Sequence, residues 1–328
     1  MKIIVYGEKE TEKGYVKTWA EAHHCEVEAT DKPLTPETVG MTRGADGISI
    51  QQTGPLANAV YAKLAENGIK QISSRTVGVD MIDLKAAKAN QLHVTNVPVY
   101  SPRAIAEMGV AHAFYLLRHI GDYQARMAQN DFSWTKSTIS NEIYRLTVGV
   151  VGLGNIGGAT AQLYKALGAN VLAYDVFHNV EYEPFVTYTD LDTVLRESDI
   201  ISLHTPLLPA TKNMIGKAQF HEMKDTAFLI NMARGGLVDS KALIEALENH
   251  EIAGAGLDTL SDEAGYFGKD ANSAKTTPIY QKLAKMSNVL LTPHVAFFTE
   301  TSVKNMVDIS LDDVSTIVSG KRTRNMIC

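Results

Sequence analysis

Val148-Gly149-Val150-Val151-Gly152-Leu153-Gly154-Asn155-Ile156-Gly157 decides the fold of this chain. A run of β-branched residues leads straight into G-x-G-x-x-G, and helix-forming residues follow. Asp175 stands roughly 20 residues further on, at the end of a second apolar run over 170–174. A lone G-x-G-x-x-G is weak, because glycine-rich turns are common. Set among a strand, a helix, a second strand and an acid, it is the fingerprint of dinucleotide binding. Gly152 permits the tight turn, Gly154 lets the backbone approach a pyrophosphate, and Gly157 lets the helix pack close to the strand. Asn155 and Ile156 complete the cofactor-binding turn. The helix they begin offers free N–H groups and a partial positive charge to phosphates.

Asp175 selects between the two dinucleotides. A carboxylate at this strand end accepts hydrogen bonds from the adenosine ribose hydroxyls and repels a 2′-phosphate. Val176, Phe177, His178 and Asn179 bring no Arg or Lys to hold such a phosphate. The expected cofactor is NAD.

The 328 residues, 45 % of them hydrophobic, are enough for two domains with separate cores. A net charge of −6 argues against a nucleic-acid partner, and the one basic run, Lys321-Arg322-Thr323-Arg324, reads as a solvated tail. The two cysteines, Cys25 and Cys328, form no metal-ligand spacing, so no metal site is expected, and they suit a reducing cytoplasm. Met1 opens a strand rather than a signal peptide, and no apolar run approaches the ~20 residues that span a bilayer.

Short apolar strands alternate with helical patterns twice along the chain. The first series has strands at 2–6, 47–50, 72–74 and 93–95, with helix formers at 57–66 and 83–89. The second has strands at 147–151, 171–174, 200–204, 228–231, 254–257 and 289–292. Strand followed by crossover helix predicts an α/β protein with doubly wound parallel sheets and ligands at the carboxyl ends of the strands. Pro98-Val99-Tyr100-Ser101-Pro102 reads as a stiff passage between domains. The segment 105–118 is apolar through much of its circumference, which fits a core helix or a subunit interface, and 301–319 reads as one long helix.

Three polar motifs sit at or just after strand ends of the second series. Asn231-Met232-Ala233-Arg234-Gly235-Gly236 carries an Arg, Asp258 is followed by Glu263, and Thr292-Pro293-His294 carries a His. Singly, each reads as a surface ion pair, a solvated loop acid or a structural His. In an open α/β sheet all three would face the nicotinamide. Arg234 can fork onto a carboxylate or an adjacent carbonyl oxygen. His294 can give a proton to that oxygen as hydride reaches carbon, or take it back in reverse. Glu263, bonded to the second ring nitrogen, would fix the ring and favour its protonated form. Asp262 is the competing carboxylate one residue away.

These motifs, with Arg75-Thr76-Val77-Gly78-Val79-Asp80, Asn96-Val97-Pro98 and Phe297-Phe298, run through nearly the whole chain. Together they resemble the NAD-dependent D-2-hydroxyacid dehydrogenases, on the branch of the D-lactate and D-2-hydroxyisocaproate enzymes. The resemblance implies that Arg234, Glu263 and His294 are catalytic, and that Asp258 holds the nicotinamide carboxamide. It implies that backbone N–H groups of Val77 and Gly78 receive the substrate carboxylate, while Tyr100 and Phe298 line the pocket. Gln51 stands where this branch often carries Tyr or Leu, so it is assigned to the pocket as well. Phe298 stands where Tyr is frequent.

The implied architecture is a Rossmann-type NAD domain, residues 100–296, inserted into a flavodoxin-like substrate domain, residues 1–99 and 297–328. The implied activity is NADH-dependent reduction of a 2-oxo acid, pyruvate or a bulkier one, to the D-2-hydroxy acid. A homodimer formed through the NAD domains is expected from the resemblance. Formate dehydrogenases of this fold usually carry Gln where Glu263 stands, and phosphoglycerate dehydrogenases often add a regulatory domain. A dinucleotide-sensing corepressor or scaffold on the same fold is the alternative from another class, separated from the enzyme reading by turnover.

Overall fold

The computed structural model describes residues 1–52, 54–270 and 272–328. The chain divides into two compact units, Met1–Ser101 with Phe298–Cys328, and Pro102–Phe297.

The first unit is built on five parallel strands, β1 (Lys2–Tyr6), β2 (Glu26–Thr30), β3 (Gly47–Ile50), β4 (Gln71–Ser74) and β5 (His93–Thr95). Their order, β2-β1-β3-β4-β5, is the flavodoxin-like one. Strand β1 is apolar on both faces because both are covered. Ile4 and Tyr6 join the core with Ile48, Ile50, Tyr61, Leu64 and Ile72. Ile3 and Val5 pack on the other side with Trp19, Val307, Leu311 and Val314. The last three come from the helix Glu300–Val318, capped at its start by the Thr299 hydroxyl.

The polar interior of this unit is organised around one ion pair. Arg75, with no exposed surface, reaches Glu12 at 2.9 Å, Ser49 Oγ at 3.0 Å and the Tyr6 carbonyl at 2.9 Å. It thereby ties together the carboxyl ends of β1, β3 and β4.

The second unit has seven parallel strands: β6 (Thr147–Val151), β7 (Asn170–Tyr174), β8 (Thr187–Tyr188), β9 (Ile200–Leu203), β10 (Phe228–Asn231), β11 (Gly254–Leu257) and β12 (Val289–Leu291). Their order is β12-β11-β10-β9-β6-β7-β8. Counted from β6 this is the Rossmann order with one strand added, and it reverses direction between β6 and β9. In open α/β sheets ligands bind at such a reversal point, outside the carboxyl ends of the strands.

The helix Pro102–Leu117 lies across β10, β11 and β12. Ile105, Ala106, Gly109, His112, Ala113, Leu116 and Leu117 are buried within the chain itself, which accounts for most of the helix's apolar girth. Gly109 allows the close approach, since a Cβ there would stand 3.2 Å from the Met232 side chain.

Candidate active site

The glycine turn after β6 has the geometry a dinucleotide needs. Gly152 has φ of +93°, and a Cβ on it would lie 2.9 Å from the backbone of His204 and Thr205. A Cβ on Gly157 would stand 1.8 Å from the Gly152 carbonyl oxygen, so only glycine lets the helix Asn155–Ala166 start this close to the strand. Gly154 faces open space, where a pyrophosphate can approach the first N–H groups of that helix. Asp175 follows β7 and accepts the Leu153 N–H at 2.5 Å and the Phe177 N–H at 2.9 Å, so its carboxylate is fixed beside the turn. His178, the one residue of 176–179 able to carry positive charge, is 2.7 Å from Glu183. The residues present fit NAD.

Sequence reasoning assigned nothing to His204, Thr205 and Pro206, which follow β9 on the other side of the reversal point. Their strand-end position was the available signal.

The three catalytic candidates come from neighbouring strands. Arg234 follows β10, Glu263 follows β11 and His294 follows β12. The Arg234 turn is held by Asn231, whose side chain accepts the Ala233 N–H at 3.0 Å and donates to the Arg234 carbonyl at 2.9 Å. Gly235 lies flush on the next loop, for a Cβ there would be 2.0 Å from the Leu260 carbonyl carbon. That contact places the Arg234 turn directly against the loop carrying Glu263.

Glu263 Oε1 lies 2.6 Å from His294 Nδ1, and its Oε2 accepts the Leu260 N–H at 2.7 Å. Asp262 instead accepts the Tyr266 hydroxyl at 2.8 Å, so of the two adjacent acids Glu263 is the one on the histidine. With Nδ1–H given to Glu263, His294 keeps Nε2 for chemistry, and that nitrogen has no hydrogen bond among the described residues. The His294 backbone is left-handed, with φ of +57°. A non-glycine residue there is uncommon, and such conformations gather at functional sites.

Asp258 holds this backbone in place. Its carbonyl accepts the His294 N–H at 2.9 Å, and its carboxylate accepts Thr292 Oγ1 at 2.5 Å and the N–H groups of Val295 and Ala296 at 3.0 and 2.9 Å. Burial pushes the Asp258 carboxyl above the usual range, and those donors pull it back. Sequence reasoning placed Asp258 at the nicotinamide carboxamide and missed this fastening role.

The substrate candidates lie in the first unit. Asn96 Nδ2 donates to the Val77 carbonyl at 2.6 Å, and Thr76 Oγ1 donates to the Gly78 carbonyl at 2.7 Å. The N–H groups of Val77 and Gly78 have no acceptor among the described residues. Two adjacent open N–H groups suit an anion. Gln51 packs against Gly7, and its Oε1 is buried without a hydrogen bond among the described residues. The Tyr100 carbonyl accepts from Asn305 at 2.7 Å, and Phe298 is 52 % exposed. Among the described residues no group of three His, Cys, Asp or Glu could hold a metal, and no helix is long and apolar enough to cross a membrane.

Comparison with known proteins identifies the family and the fold. The family described as D-isomer specific 2-hydroxyacid dehydrogenase, NAD binding domain, matches residues 110–296. A D-2-hydroxyacid dehydrogenase (NAD(+)) of Clostridioides difficile is 41 % identical over all of both chains. A D-lactate/D-glycerate dehydrogenase of Pediococcus acidilactici is 38 % identical over 100 % of this chain and 99 % of its own. The crystal structure of D-lactate dehydrogenase with NAD+ from Lactobacillus jensenii superposes with a TM-score of 0.92 at 53 % identity, covering all of both chains.

Proposed function

The chain belongs to the D-isomer specific 2-hydroxyacid dehydrogenases and is an NAD-dependent enzyme that reversibly reduces 2-oxo acids; from that premise we propose that its substrate is pyruvate, reduced to D-lactate by Arg234, Glu263 and His294. The observation that carries the assignment is the 2.6 Å contact between Glu263 and His294 Nδ1, which leaves Nε2 to meet the substrate oxygen. The D-lactate dehydrogenases among its relatives support pyruvate.

The chemistry that NADH would supply when bound is hydride to the carbonyl carbon. Gly152, Gly154, Asn155, Ile156 and Gly157 would cradle its pyrophosphate, Asp175 its adenosine ribose, and Asp258 would lie beside its carboxamide. Val77 and Gly78 donate backbone N–H groups to the substrate carboxylate, and Arg234 forks onto carboxylate and carbonyl oxygen. His294 gives its Nε2 proton to the carbonyl oxygen as the alcohol forms, and takes it back in the oxidation. Glu263 holds the ring in the tautomer this requires and stabilises the imidazolium. Gln51, Tyr100 and Phe298 border the substrate side chain.

NADH oxidation measured against pyruvate, 2-oxoisocaproate and phenylpyruvate, with chiral analysis of products, tests the assignment. D-lactate with pyruvate leading in kcat/KM is the expected result. A lead for the bulky acids replaces pyruvate as the substrate.

We also propose a cytoplasmic homodimer. Phe132, Trp134, Ile139 and Tyr144, which precede β6, are 67 %, 92 %, 75 % and 59 % exposed, and such apolar surface suits a second copy. Trp134→Glu should shift sedimentation from dimer to monomer, and an unchanged profile contradicts this surface.

A further inference from the structure

The helix Pro102–Leu117 carries a histidine that the proposed chemistry does not use. His112 is 2 % exposed, and burial pushes its imidazole down to about 4, so the ring is neutral at working pH. Its Nε2 lies 3.2 Å from Thr292 Oγ1, which in turn lies 2.5 Å from Asp258 Oδ1.

The hydrogens along this line can be placed. The Asp258 carboxylate meets three donors, the Thr292 hydroxyl and the N–H groups of Val295 and Ala296, as an ionised carboxylate does. Thr292 has one hydroxyl hydrogen, and it goes to Asp258. Thr292 Oγ1 is therefore the acceptor for His112, and the hydrogen of His112 is on Nε2. Nδ1 is left bare and buried, without a partner among the described residues. A bare buried acceptor destabilises the fold, a burden an apolar side chain would not carry. The packing makes room for the ring all the same: a Cβ on Gly256, within β11, would stand 3.0 Å from both Cβ and Nδ1 of His112.

We propose that His112 is a positioning residue for the proton donor, acting through Thr292 and Asp258 on the backbone that carries His294. Its Nε2–H occupies the Thr292 oxygen and so turns the Thr292 hydrogen onto Asp258. Asp258, aligned in this way, grips the N–H groups of the two residues that follow His294. The left-handed turn at His294 is thereby held with the ring against Glu263. This inference rests on His294 being the proton donor.

Four variants test it, with kcat and KM for pyruvate, NADH affinity by fluorescence, and thermal midpoint. His112→Leu should lower kcat about tenfold, equivalent to ~1.4 kcal/mol in the barrier, without lowering the midpoint. KM and NADH affinity should stay within about twofold, because the loss falls on the chemical step. His112→Gln, whose amide can donate to Thr292 in place of Nε2, should restore most of kcat, which a purely structural role does not require. A His112→Leu enzyme within about twofold of the parent kcat, or His112→Gln no better than His112→Leu, overturns the proposal. Should His112→Leu not fold, Gly256→Ala decides: crowding the ring lowers kcat with NADH binding kept, and an unchanged kcat overturns the proposal. His294→Gln separates the two levels. If it still turns over, the donor assignment itself fails. If it is inactive while His112→Leu is normal, only the positioning role fails.

Discussion

Glu263 Oε1 lies 2.6 Å from His294 Nδ1, while the carboxylate of the adjacent Asp262 turns to the Tyr266 hydroxyl at 2.8 Å. One step along the loop thus separates an acid that orients the histidine from one that braces an aromatic ring. Glu263→Gln should lower kcat by roughly 10²-fold, in the range of a lost acid–base partner, with little change in NADH affinity. Asp262→Asn should keep kcat within about threefold. Steady-state kinetics on the two variants decides the matter, and a larger loss at Asp262 would reverse the assignment.

Asp175, whose proposed place is at the adenosine ribose, is fixed beside the glycine turn by the Leu153 and Phe177 N–H groups that its carboxylate accepts. Asp175→Ala should weaken NADH binding about tenfold and narrow its advantage over NADPH. Fluorescence titration with both cofactors checks this. An unchanged preference for NADH would remove Asp175 from cofactor selection.

Stability on the acid side should follow the buried histidines. His112 is held down to about 4 by burial, against an ordinary value of 6.5. Between those values the unfolded chain binds a proton that the folded chain refuses, so stability falls as pH drops through this window. One such group contributes a slope of ~1.4 kcal/mol per pH unit. His204, held down to about 3 by burial, acts in the same direction. Asp258 and Asp313, whose carboxyls burial raises, act in the opposite one. His112→Leu should flatten the pH dependence of the thermal midpoint between pH 6.5 and 4. Parallel curves for the two proteins would contradict it.

Arg75 and Glu12 form a buried pair, with 0 % and 4 % of their side chains exposed. Arg75→Met leaves Glu12 without its counter-charge and should destabilise the protein by about 3–5 kcal/mol. Adding Glu12→Leu should recover most of the loss, because replacing both charges removes the stranded one. Urea unfolding of the single and double variants measures both steps, and a single variant near the parent midpoint would contradict the account.

The parts of the fold legible in the sequence are those buried on both faces. Thr147–Val151, Ile200–Leu203 and Phe228–Asn231 are dominated by apolar or β-branched residues because helices cover a parallel sheet on each side. Glu26–Thr30 was missed for the opposite reason. It is an edge strand whose Glu26 and Glu28 point to solvent, where Lys2 reaches both. The helix Lys13–His23, with Val16 and Trp19 its buried residues, gave too narrow an apolar stripe to stand out. Thr187–Tyr188 is simply too short.

In the candidate site, Arg234, Glu263 and His294 could be read from their places after strand ends. The choice between Asp262 and Glu263 could not, because it depends on how the loop is pinned by the Leu260 N–H. His112 was hidden in an apolar helix, where a lone histidine reads as core. Its contact with Thr292 spans 180 positions of sequence that no local pattern connects.

The most direct test of the central claim is single-turnover conversion of pyruvate by the parent enzyme and His294→Gln, with chiral analysis of the lactate. The parent enzyme should form D-lactate. The chemical step of the variant should fall by roughly 10³-fold or more, with NADH still bound. L-lactate as product, or a variant within about tenfold of the parent rate, would contradict it.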